Sequence, residues 1–221
     1  MNADSDPIAI VGAGSWGTAL AIQFARAGRE TLLWGHPPDE LAELERDRVN
    51  ERYLPGARFP DKLLIERNLS RALVRARDVL IAVPSHAFRE VLKRIKPLLA
   101  PGARVAWASK GFELESGKLL HGVAAEVLGD ELPLAVLSGP TFAKEVGAGL
   151  PTAMTVASTD ERFAADLAAS ISSQQFRAYT TTDVTGVEVG GAVKNVLAIG
   201  AGISDGLGFG ANTRVALITR G

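Results

Sequence analysis

The stretch Pro7-Ile-Ala-Ile-Val-Gly-Ala-Gly-Ser-Trp-Gly-Thr-Ala-Leu-Ala21 decides the fold of this chain. Ile8 to Val11 is an unbroken apolar run, which is typical of a parallel strand buried on both faces. Gly12-x-Gly14-x-x-Gly17 follows, and an apolar pattern of helical spacing continues to Gly28. In such a unit the three glycines allow a tight turn, close approach of a diphosphate and close helix–strand packing, in that order. The positive end of the new helix then faces the diphosphate. The stretch therefore predicts a dinucleotide-binding unit.

The composition limits the classes of protein to consider. Of the 221 residues, 47% are hydrophobic and 22% are charged, as in ordinary globular proteins. A net charge of −1 gives no basic footprint for nucleic acid, and the absence of cysteine excludes disulfides and thiolate metal sites. Met1 to Asp6 is polar, so no signal peptide is predicted, and the apolar run Val189 to Ser204 is too short to span a bilayer. We expect a cytoplasmic protein that neither binds nucleic acid nor inserts into a membrane.

Predicted strands and helices alternate along the first 182 residues. Further strands are predicted at Glu30–Trp34, Asp78–Val83, Arg104–Ala108, Leu134–Leu137, Thr152–Ala157 and Phe176–Thr180. Helices are predicted at about Asp39–Asn50, Phe88–Leu99 and Ser116–Gly129, and from about Asp160. Alternation of this kind requires right-handed crossovers and a parallel sheet. The fold class is therefore α/β, with a doubly wound, mostly parallel sheet of the Rossmann type.

Ligands of such sheets bind outside the carboxyl ends of the strands. Five loops are predicted to meet there, namely Gly12–Gly17, Trp34–His36, Pro84-Ser85, Ser109-Lys110 and Ser138–Thr141. This convergence makes a functional role of Lys110 more credible than for an ordinary surface lysine, but without further support a solvated lysine remains the favoured interpretation. His86 stands at a helix start and His121 within a helix, and for both we favour a surface position.

The end of the second strand indicates which dinucleotide is preferred. An acidic residue there usually holds the 2′-hydroxyl of NAD, but this chain has Trp34-Gly35-His36 instead. Without a carboxylate nothing repels a 2′-phosphate, so NADP is permitted and favoured. His36 either contacts that phosphate or is a surface imidazole, and the sequence leaves both open.

The pattern changes after Thr182, where residues 183–221 are predicted to begin an all-α second domain. Thr185-x-x-Glu188 has the form of a capping box before a long helix at about Val187–Ile203. Lys194 is the only charged residue from Val189 to Ser204 and has small, apolar helical neighbours. A lysine withdrawn from water in this way exchanges its proton more readily near neutral pH. The alternative is a lysine whose stem covers apolar surface while its amine reaches water.

Taken together, these motifs closely resemble the bacterial NAD(P)-dependent glycerol-3-phosphate dehydrogenases, and the resemblance covers the whole chain. The runs that carry it are Gly12–Ala19, Ser109-Lys110-Gly111, Leu137–Glu145, Gly190–Gly202 and Ser204–Arg214. Motifs in this order are far more specific than the glycine fingerprint alone.

The resemblance implies interconversion of sn-glycerol 3-phosphate and dihydroxyacetone phosphate, which supplies phospholipid synthesis. It implies that Lys194 is the general acid and base and that Lys110 binds substrate beside the nicotinamide. By the same resemblance, Gly139 and Thr141 also contact substrate. Dinucleotide contacts would come from Gly12, Gly14, Ser15, Trp16, Gly17, His36, Lys110 and Ala143. A homodimer is implied and no metal is needed, because the cofactor carries the hydride.

The family's chain continues beyond the length seen here, with an Asp and a Ser-Arg-Asn segment that complete the substrate site. From this departure we expect NADPH binding without useful turnover, and self-association through an exposed apolar helix. Two alternatives remain. One is a non-catalytic NAD(P)-binding sensor, but a sensor would have no need for a single lysine such as Lys194 on an apolar helix. The other is a 3-hydroxyacid or sugar-nucleotide dehydrogenase, although the latter typically uses a cysteine.

Overall fold

The computed structural model of the protein describes residues 6–35 and 37–220. Ten strands lie within them: β1 Ile8–Val11, β2 Thr31–Trp34, β3 Val49–Asn50, β4 Leu54–Arg58, β5 Leu63–Ile65, β6 Asp78–Ile81, β7 Arg104–Trp107, β8 Leu134–Ser138, β9 Thr152–Ala157 and β10 Phe176–Thr181. The α-helices of the same residues are α1 Ser15–Arg26, α2 Pro38–Asp47, α3 Leu69–Arg75, α4 Ser85–Ile95, α5 Leu120–Leu128, α6 Ala143–Ala148, α7 Glu161–Ile171, α8 Val184–Gly206 and α9 Ala211–Arg220.

Eight strands form one sheet in the order β10-β9-β8-β7-β6-β1-β2-β5. Six neighbouring strands of this order, β8, β7, β6, β1, β2 and β5, are parallel to one another. Every residue of β1, β2, β6 and β7 is buried, as the continuous apolar runs predicted. Helix α1 contacts α6 and α7, whereas α4 contacts α5, so helices cover both faces of the sheet. The Rossmann-type α/β fold is confirmed, and it brings the carboxyl ends of β1, β2, β6, β7 and β8 to one edge.

The sheet is mostly parallel, as predicted, but the strand direction reverses at one end of it. Strand β9 is antiparallel to β8, and β10 is parallel to β9. Between β8 and β9 the chain forms only the six-residue helix α6, which rises about 9 Å. This helix packs against α1 and β4 instead of crossing the sheet, so the chain re-enters beside β8 in the opposite direction. A parallel connection normally needs a crossover of a dozen or more residues with a longer helix.

The region between residues 39 and 65 also differs from the prediction. Helix α2 ends at Asp47 and not at Asn50, because Arg48 adopts a left-handed conformation with φ of 55°. Val49 and Asn50 then form β3, which pairs with β4 in a separate two-stranded sheet. Strand β5 adds to the edge of the main sheet beside β2. This region contains glycine and proline, so its sequence pattern is typical of loops. The three short strands β3, β4 and β5 therefore could not be predicted from it.

Three other helix boundaries shift. Helix α4 begins at Ser85 and ends at Ile95, where Pro97 lies in a following 3₁₀ turn. Helix α5 begins at Leu120 and not at Ser116, since Gly117 has a positive φ of 68°. The capping box is wrong, because α8 is capped by the side chain of Asp183, which accepts a hydrogen bond from the Gly186 N–H.

A buried ionic network joins the amino ends of the central strands. The Asp78 carboxylate accepts hydrogen bonds from Arg29 at 2.7 Å and from Arg104 at 2.6 and 2.9 Å, and all three side chains are at most 6% exposed. Arg104 also pairs with Asp166 at 2.7 Å and lies over the Phe163 ring. Burial by itself would raise the pKa of Asp78, but the hydrogen bonds and charges of the two arginines outweigh it and lower the pKa. The carboxylate is thus held ionised inside the fold.

Helix α8 is longer than the sequence predicted and much of its surface is exposed. Its 23 residues extend beyond the run Val189–Ser204 at both ends and are long and apolar enough to cross a membrane by length and composition, so the shortness of that run does not exclude a membrane span. Only 6% of its most apolar window is buried. Exposed apolar side chains continue into the next helix: Val189, Val196, Ile199, Ile203, Leu207, Phe209, Val215, Leu217 and Ile218. Apolar surface of this extent is typical of an interaction face.

Candidate active site

The loop between β1 and α1 has the shape of a diphosphate cradle. Gly12 has φ of +123°, and a Cβ there would lie 2.4 Å from the Ala82 carbonyl oxygen. A Cβ on Gly17 would lie 1.8 Å from the Gly12 carbonyl oxygen, so both glycines are required for packing. Gly14 has no such neighbour within 4 Å and opens into a cleft. The three roles predicted from the sequence correspond to these three surroundings.

A buried asparagine supports this loop from outside it. The Asn50 side-chain amide donates to the Ala13 carbonyl at 2.9 Å and to the Thr18 hydroxyl oxygen at 2.9 Å. The side-chain oxygen of Asn50 accepts a hydrogen bond from the Tyr53 backbone N–H at 3.2 Å. Asn50 is 2% exposed, and its two donated hydrogen bonds tie the cradle to the segment that follows α2. Sequence reasoning placed it at a helix end and missed it, because no local motif marks a residue that acts through a distant loop.

A cleft runs along the carboxyl edge on both sides of the glycine loop. One cavity of about 510 Å³ lies between Gly14, Trp34, Tyr53 and Arg94, and a second of about 410 Å³ is lined by Ser15, Trp16, Lys110, Thr141 and Ala143. Within the described residues, the Trp16 indole nitrogen and the Thr141 hydroxyl are buried and have no hydrogen-bond partner. Buried polar groups normally find partners, so these two groups fit a ligand in the second cavity. The open space at Gly14 and the unpartnered Trp16 nitrogen are compatible with a bound dinucleotide.

Two lysines lie close to Gly139, next to that second cavity. Lys110 Nζ donates to the Gly139 carbonyl at 3.2 Å and lies 5.7 Å from the centre of the Trp16 ring. Burial, then the charge of Lys194 and a hydrogen bond with it, lower the pKa of Lys110 to about 8. The site is therefore cationic, yet one of its amines can lose a proton slightly above neutral pH. Sequence reasoning expected this behaviour of Lys194 and gave Lys110 the lesser role.

Lys194 reaches the site because α8 lies close to the end of β8. A Cβ on Gly191 would lie 2.9 Å from the Ser138 hydroxyl oxygen, so a small residue is needed at this contact. The Lys194 amine lies 5.7 Å from the centre of the Phe142 ring. A cavity of about 320 Å³ is lined by Gly139, Gly191 and Lys194 among others. This cavity adjoins Lys110 through Gly139 and has room for a small substrate.

The structure also shows a contact of His121 that the sequence did not predict. His121 is not simply solvated, because its Nδ1 lies 2.6 Å from an oxygen of Glu188, and its backbone N–H donates to the same carboxylate at 3.1 Å. Trp107 Nε1 donates to Glu188 at 2.9 Å. The misassigned capping box is the reason for the error, since it gave Glu188 a local partner. His86, by contrast, is exposed in the first turn of α4, as expected.

The structure thus brings together most of the predicted site residues. Those that line the cleft or the substrate-sized cavity are Gly12, Gly14, Ser15, Trp16, Lys110, Gly139, Thr141, Ala143 and Lys194. Gly17 acts behind the loop, through packing. His36 lies outside the described residues.

Gly14 offers a direct test of the cradle, because an added methyl group has room in the protein itself. Gly14→Ala keeps an allowed backbone (φ −72°) and meets nothing within 4 Å. We expect an unchanged melting temperature but NADPH binding weaker by about tenfold or more, equivalent to one lost charge-assisted hydrogen bond. The measurement is a fluorescence titration with NADPH. Gly122→Ala, at another open glycine, is the control and should bind normally; equal affinity in both variants would exclude this loop as the cradle.

Comparison with protein families agrees with this geometry. The family model described as "NAD-dependent glycerol-3-phosphate dehydrogenase N-terminus" matches residues 7–164. The one described as the C-terminus of the same enzyme matches residues 183–221. The two matched ranges include both lysines of the site.

Individual proteins give the same result. The chain is 58% identical over 222 residues to proteins named "Glycerol-3-phosphate dehydrogenase [NAD(P)+]" from Escherichia coli and Shigella boydii. These matches cover 100% of this chain and 66% of the relatives, so the chain spans slightly less than two thirds of their length.

Solved structures extend the comparison to the fold. A glycerol-3-phosphate dehydrogenase from Coxiella burnetii superposes with a TM-score of 0.89 at 50% identity, over 98% of this chain and 66% of that one. A glycerol-3-phosphate dehydrogenase from Saccharomyces cerevisiae shares the fold, with a TM-score of 0.84. It is 24% identical, and the superposition covers 96% of this chain and 67% of that one. With the two family models matching most of its length, this chain belongs to the NAD-dependent glycerol-3-phosphate dehydrogenase family.

Proposed function

We propose that this chain forms the cofactor cleft and the lysine-bearing half of the substrate site of an NAD(P)-dependent glycerol-3-phosphate dehydrogenase. The observation that carries this proposal is that Lys110, which lines the dinucleotide cleft, and Lys194 both adjoin Gly139. The reaction would interconvert dihydroxyacetone phosphate and sn-glycerol 3-phosphate. A domain boundary at residues 182 and 183 is part of the proposal and is supported by the gap between the two family matches.

Reduction of a ketone requires a hydride, a proton and stabilisation of the developing alkoxide. When bound, the nicotinamide cofactor supplies the hydride. Lys194 would give a proton to the carbonyl oxygen, and would remove it in the reverse direction. Lys110, anchored on the Gly139 carbonyl, would hold positive charge beside that oxygen, and the unpartnered Thr141 hydroxyl would bind substrate. The residues at hand thus account for proton transfer and charge stabilisation.

We propose that NADPH is the favoured cofactor. The end of β2 carries no carboxylate at Trp34-Gly35, and the Arg94 guanidinium lies 4.9 Å from the centre of the Trp34 ring. Arg67 and Arg94 both line a cavity of about 350 Å³ next to Gly35. Arginine suits a phosphate group because its donors match the phosphate oxygens. His36 remains a proposed second contact of the 2′-phosphate.

Replacing Arg94 tests the cofactor proposal. Arg94→Gln keeps much of the stem over Trp34 but removes the charge. We expect the dissociation constant for NADPH to rise by about 10- to 100-fold, as for one charged hydrogen bond, while that for NADH changes little. Fluorescence titration with both cofactors measures the ratio. The control is Lys93→Gln, whose exposed amine pairs with Glu90 on the same helix, and it should leave the NADPH preference unchanged. An unchanged NADPH preference in Arg94→Gln, or an equal fall in the control, would refute the assignment.

The remaining proposals concern the surroundings of the protein. The exposed apolar side chains of α8 and α9 support a homodimer or another assembly. A cytoplasmic location, without nucleic acid or membrane insertion, is consistent with the net charge of −1 and with the charged Glu188, Lys194 and Asp205 along α8. Analytical ultracentrifugation and partition into lipid vesicles would test the two proposals separately.

The experiment that tests the activity uses an extended chain. We define it as the 221-residue chain joined to that part of the E. coli relative which the match does not cover. Oxidation of NADPH is followed with dihydroxyacetone phosphate, with a 3-oxo acid, and without substrate. The proposal predicts turnover with the triose phosphate at an ordinary rate, on the order of 10 per second. Turnover only with the 3-oxo acid would favour the hydroxyacid dehydrogenase, and binding without any turnover would favour the sensor.

A further inference from the structure

Glu188 is a buried carboxylate whose partners all belong to other parts of the fold. It lies on α8 with a side chain only 5% exposed. One oxygen accepts from Trp107 Nε1 at 2.9 Å and from the His121 backbone N–H at 3.1 Å, and the other lies 2.6 Å from His121 Nδ1. Trp107 is completely buried at the end of β7, and His121 lies in the first turn of α5. One carboxylate therefore joins α8 to two elements of the sheet domain.

Such a contact fixes a helix more firmly than apolar packing does. A buried carboxylate must keep its donors, because leaving a buried charge without them costs several kcal/mol. Apolar contacts of α8 would allow some sliding and rotation, whereas three hydrogen bonds to fixed donors set one position. Most other residues of α8 are exposed or half-buried, so few other contacts restrain it.

By fixing α8 against the sheet, Glu188 also fixes the position of Lys194 relative to Lys110. Trp107 precedes Lys110 by three residues, and Glu188 precedes Lys194 by six residues on α8. Gly191 lies midway between Glu188 and Lys194 and makes the close approach to Ser138. Glu188, Gly191 and Lys110 line one small cavity between β8 and α8. A shift of α8 at Glu188 would therefore change the separation of the two amines.

We propose that Glu188 is a positioning residue which, through Trp107 and His121, holds α8 so that the Lys194 amine lies beside the Lys110 amine. The importance of this placement for catalysis rests on the proposed function, but the placement itself does not. A misplacement of about 1 Å in a catalytic group can cost 100-fold in rate. Glu188 need not contact substrate or cofactor to have this effect.

The placement is tested by measuring the proton equilibrium of Lys110 in the 221-residue chain. Amine labelling at a series of pH values, read by mass spectrometry, should give Lys110 a midpoint near pH 8. Lys194→Met removes the neighbouring charge and should raise the midpoint. Glu188→Gln weakens all three contacts, because a neutral amide oxygen is a poorer acceptor than a carboxylate and an NH₂ group replaces the oxygen that faces His121 Nδ1. We therefore expect α8 to move and the midpoint to rise by about one pH unit.

The direction of the change separates positioning from a direct charge effect. Loss of a nearby negative charge would by itself lower the pKa of Lys110, since the ammonium form would lose a favourable neighbour. A midpoint that stays the same or falls in Glu188→Gln, while it rises in Lys194→Met, would overturn the proposal. Glu115→Gln, at an exposed carboxylate before α5, is the matched control and should leave the midpoint unchanged.

Two further measurements keep the test decisive. If Glu188→Gln melts below the assay temperature, His121→Gln removes only one contact and should raise the midpoint in the same direction by less; no rise would count against the proposal. In the extended chain, Glu188→Gln should lower kcat by about 10- to 100-fold with little change in KM for NADPH. Absence of activity in the unmodified extended chain would refute the proposed function while the labelling result still stood.

Discussion

Lys194→Ala in the extended chain should lower kcat by about 10² to 10⁴, the usual loss for a positioned general acid. The change removes the proposed proton donor and the positive charge that acts on Lys110. The glycine loop and its support by Asn50 are untouched, so NADPH should bind as before. Steady-state kinetics with dihydroxyacetone phosphate and a separate NADPH titration measure the two effects.

The matched control is Lys144→Ala, because Lys144 is an exposed lysine on α6, beside Ala143. It should keep near-normal kcat. If Lys194→Ala also kept near-normal kcat, Lys194 would be only a packing residue. In that case Lys110, whose pKa is lowered, would be the candidate proton donor. We would therefore measure Lys110→Ala and the pH profile of kcat in the same set of experiments.

Asp78→Ala should be among the most destabilising single changes in the chain. It leaves the guanidinium groups of Arg29 and Arg104, each only 6% exposed, without their shared carboxylate. Removal of one partner from a buried pair typically costs about 3–5 kcal/mol in the free energy of unfolding. Urea unfolding followed by circular dichroism measures the loss. Asp130→Ala, at an exposed aspartate, should change the same quantity by less than about 0.5 kcal/mol.

The stabilisation by Asp78 should also depend on pH. The folded-state pKa of Asp78 lies below its ordinary value of 3.8, so its contribution is complete above that value and is lost as pH falls through the folded pKa. The difference in stability between the parent and Asp78→Ala should therefore shrink below about pH 4. A difference that stayed constant, or that was below about 1 kcal/mol at neutral pH, would show that this network contributes little.

The strand and glycine patterns predicted the sheet and the cradle because each depends on adjacent residues. Ile8–Val11 is buried throughout, and Gly12 and Gly17 have the steric restrictions that their spacing implies. Lys194 was singled out because one charge in an apolar helix stands out, and its catalytic role stays a prediction. The rule that ligands bind at the carboxyl edge of the strands predicted the position of Lys110, but not that α8 would bring Lys194 close to it.

What the sequence could not predict depends on residues far apart in the chain. Asn50 supports a loop about thirty-seven residues away, and Glu188 contacts Trp107 and His121 at separations of 81 and 67 residues. The reversed strand β9 depends on how α6 packs against α1, which no local pattern encodes. In each case a plausible local explanation, such as a capping box or a helix end, stood in place of the long-range contact.

The most direct test of the cleft and its orientation is energy transfer to NADPH in the 221-residue chain. Trp16 lies in the cavity that also contains Lys110, where the nicotinamide is proposed to bind. We predict saturable transfer from tryptophan to the reduced nicotinamide, and a large loss of this transfer in Trp16→Phe while NADPH still binds. No saturable signal in the folded parent, or undiminished transfer in Trp16→Phe, would contradict the proposed cleft.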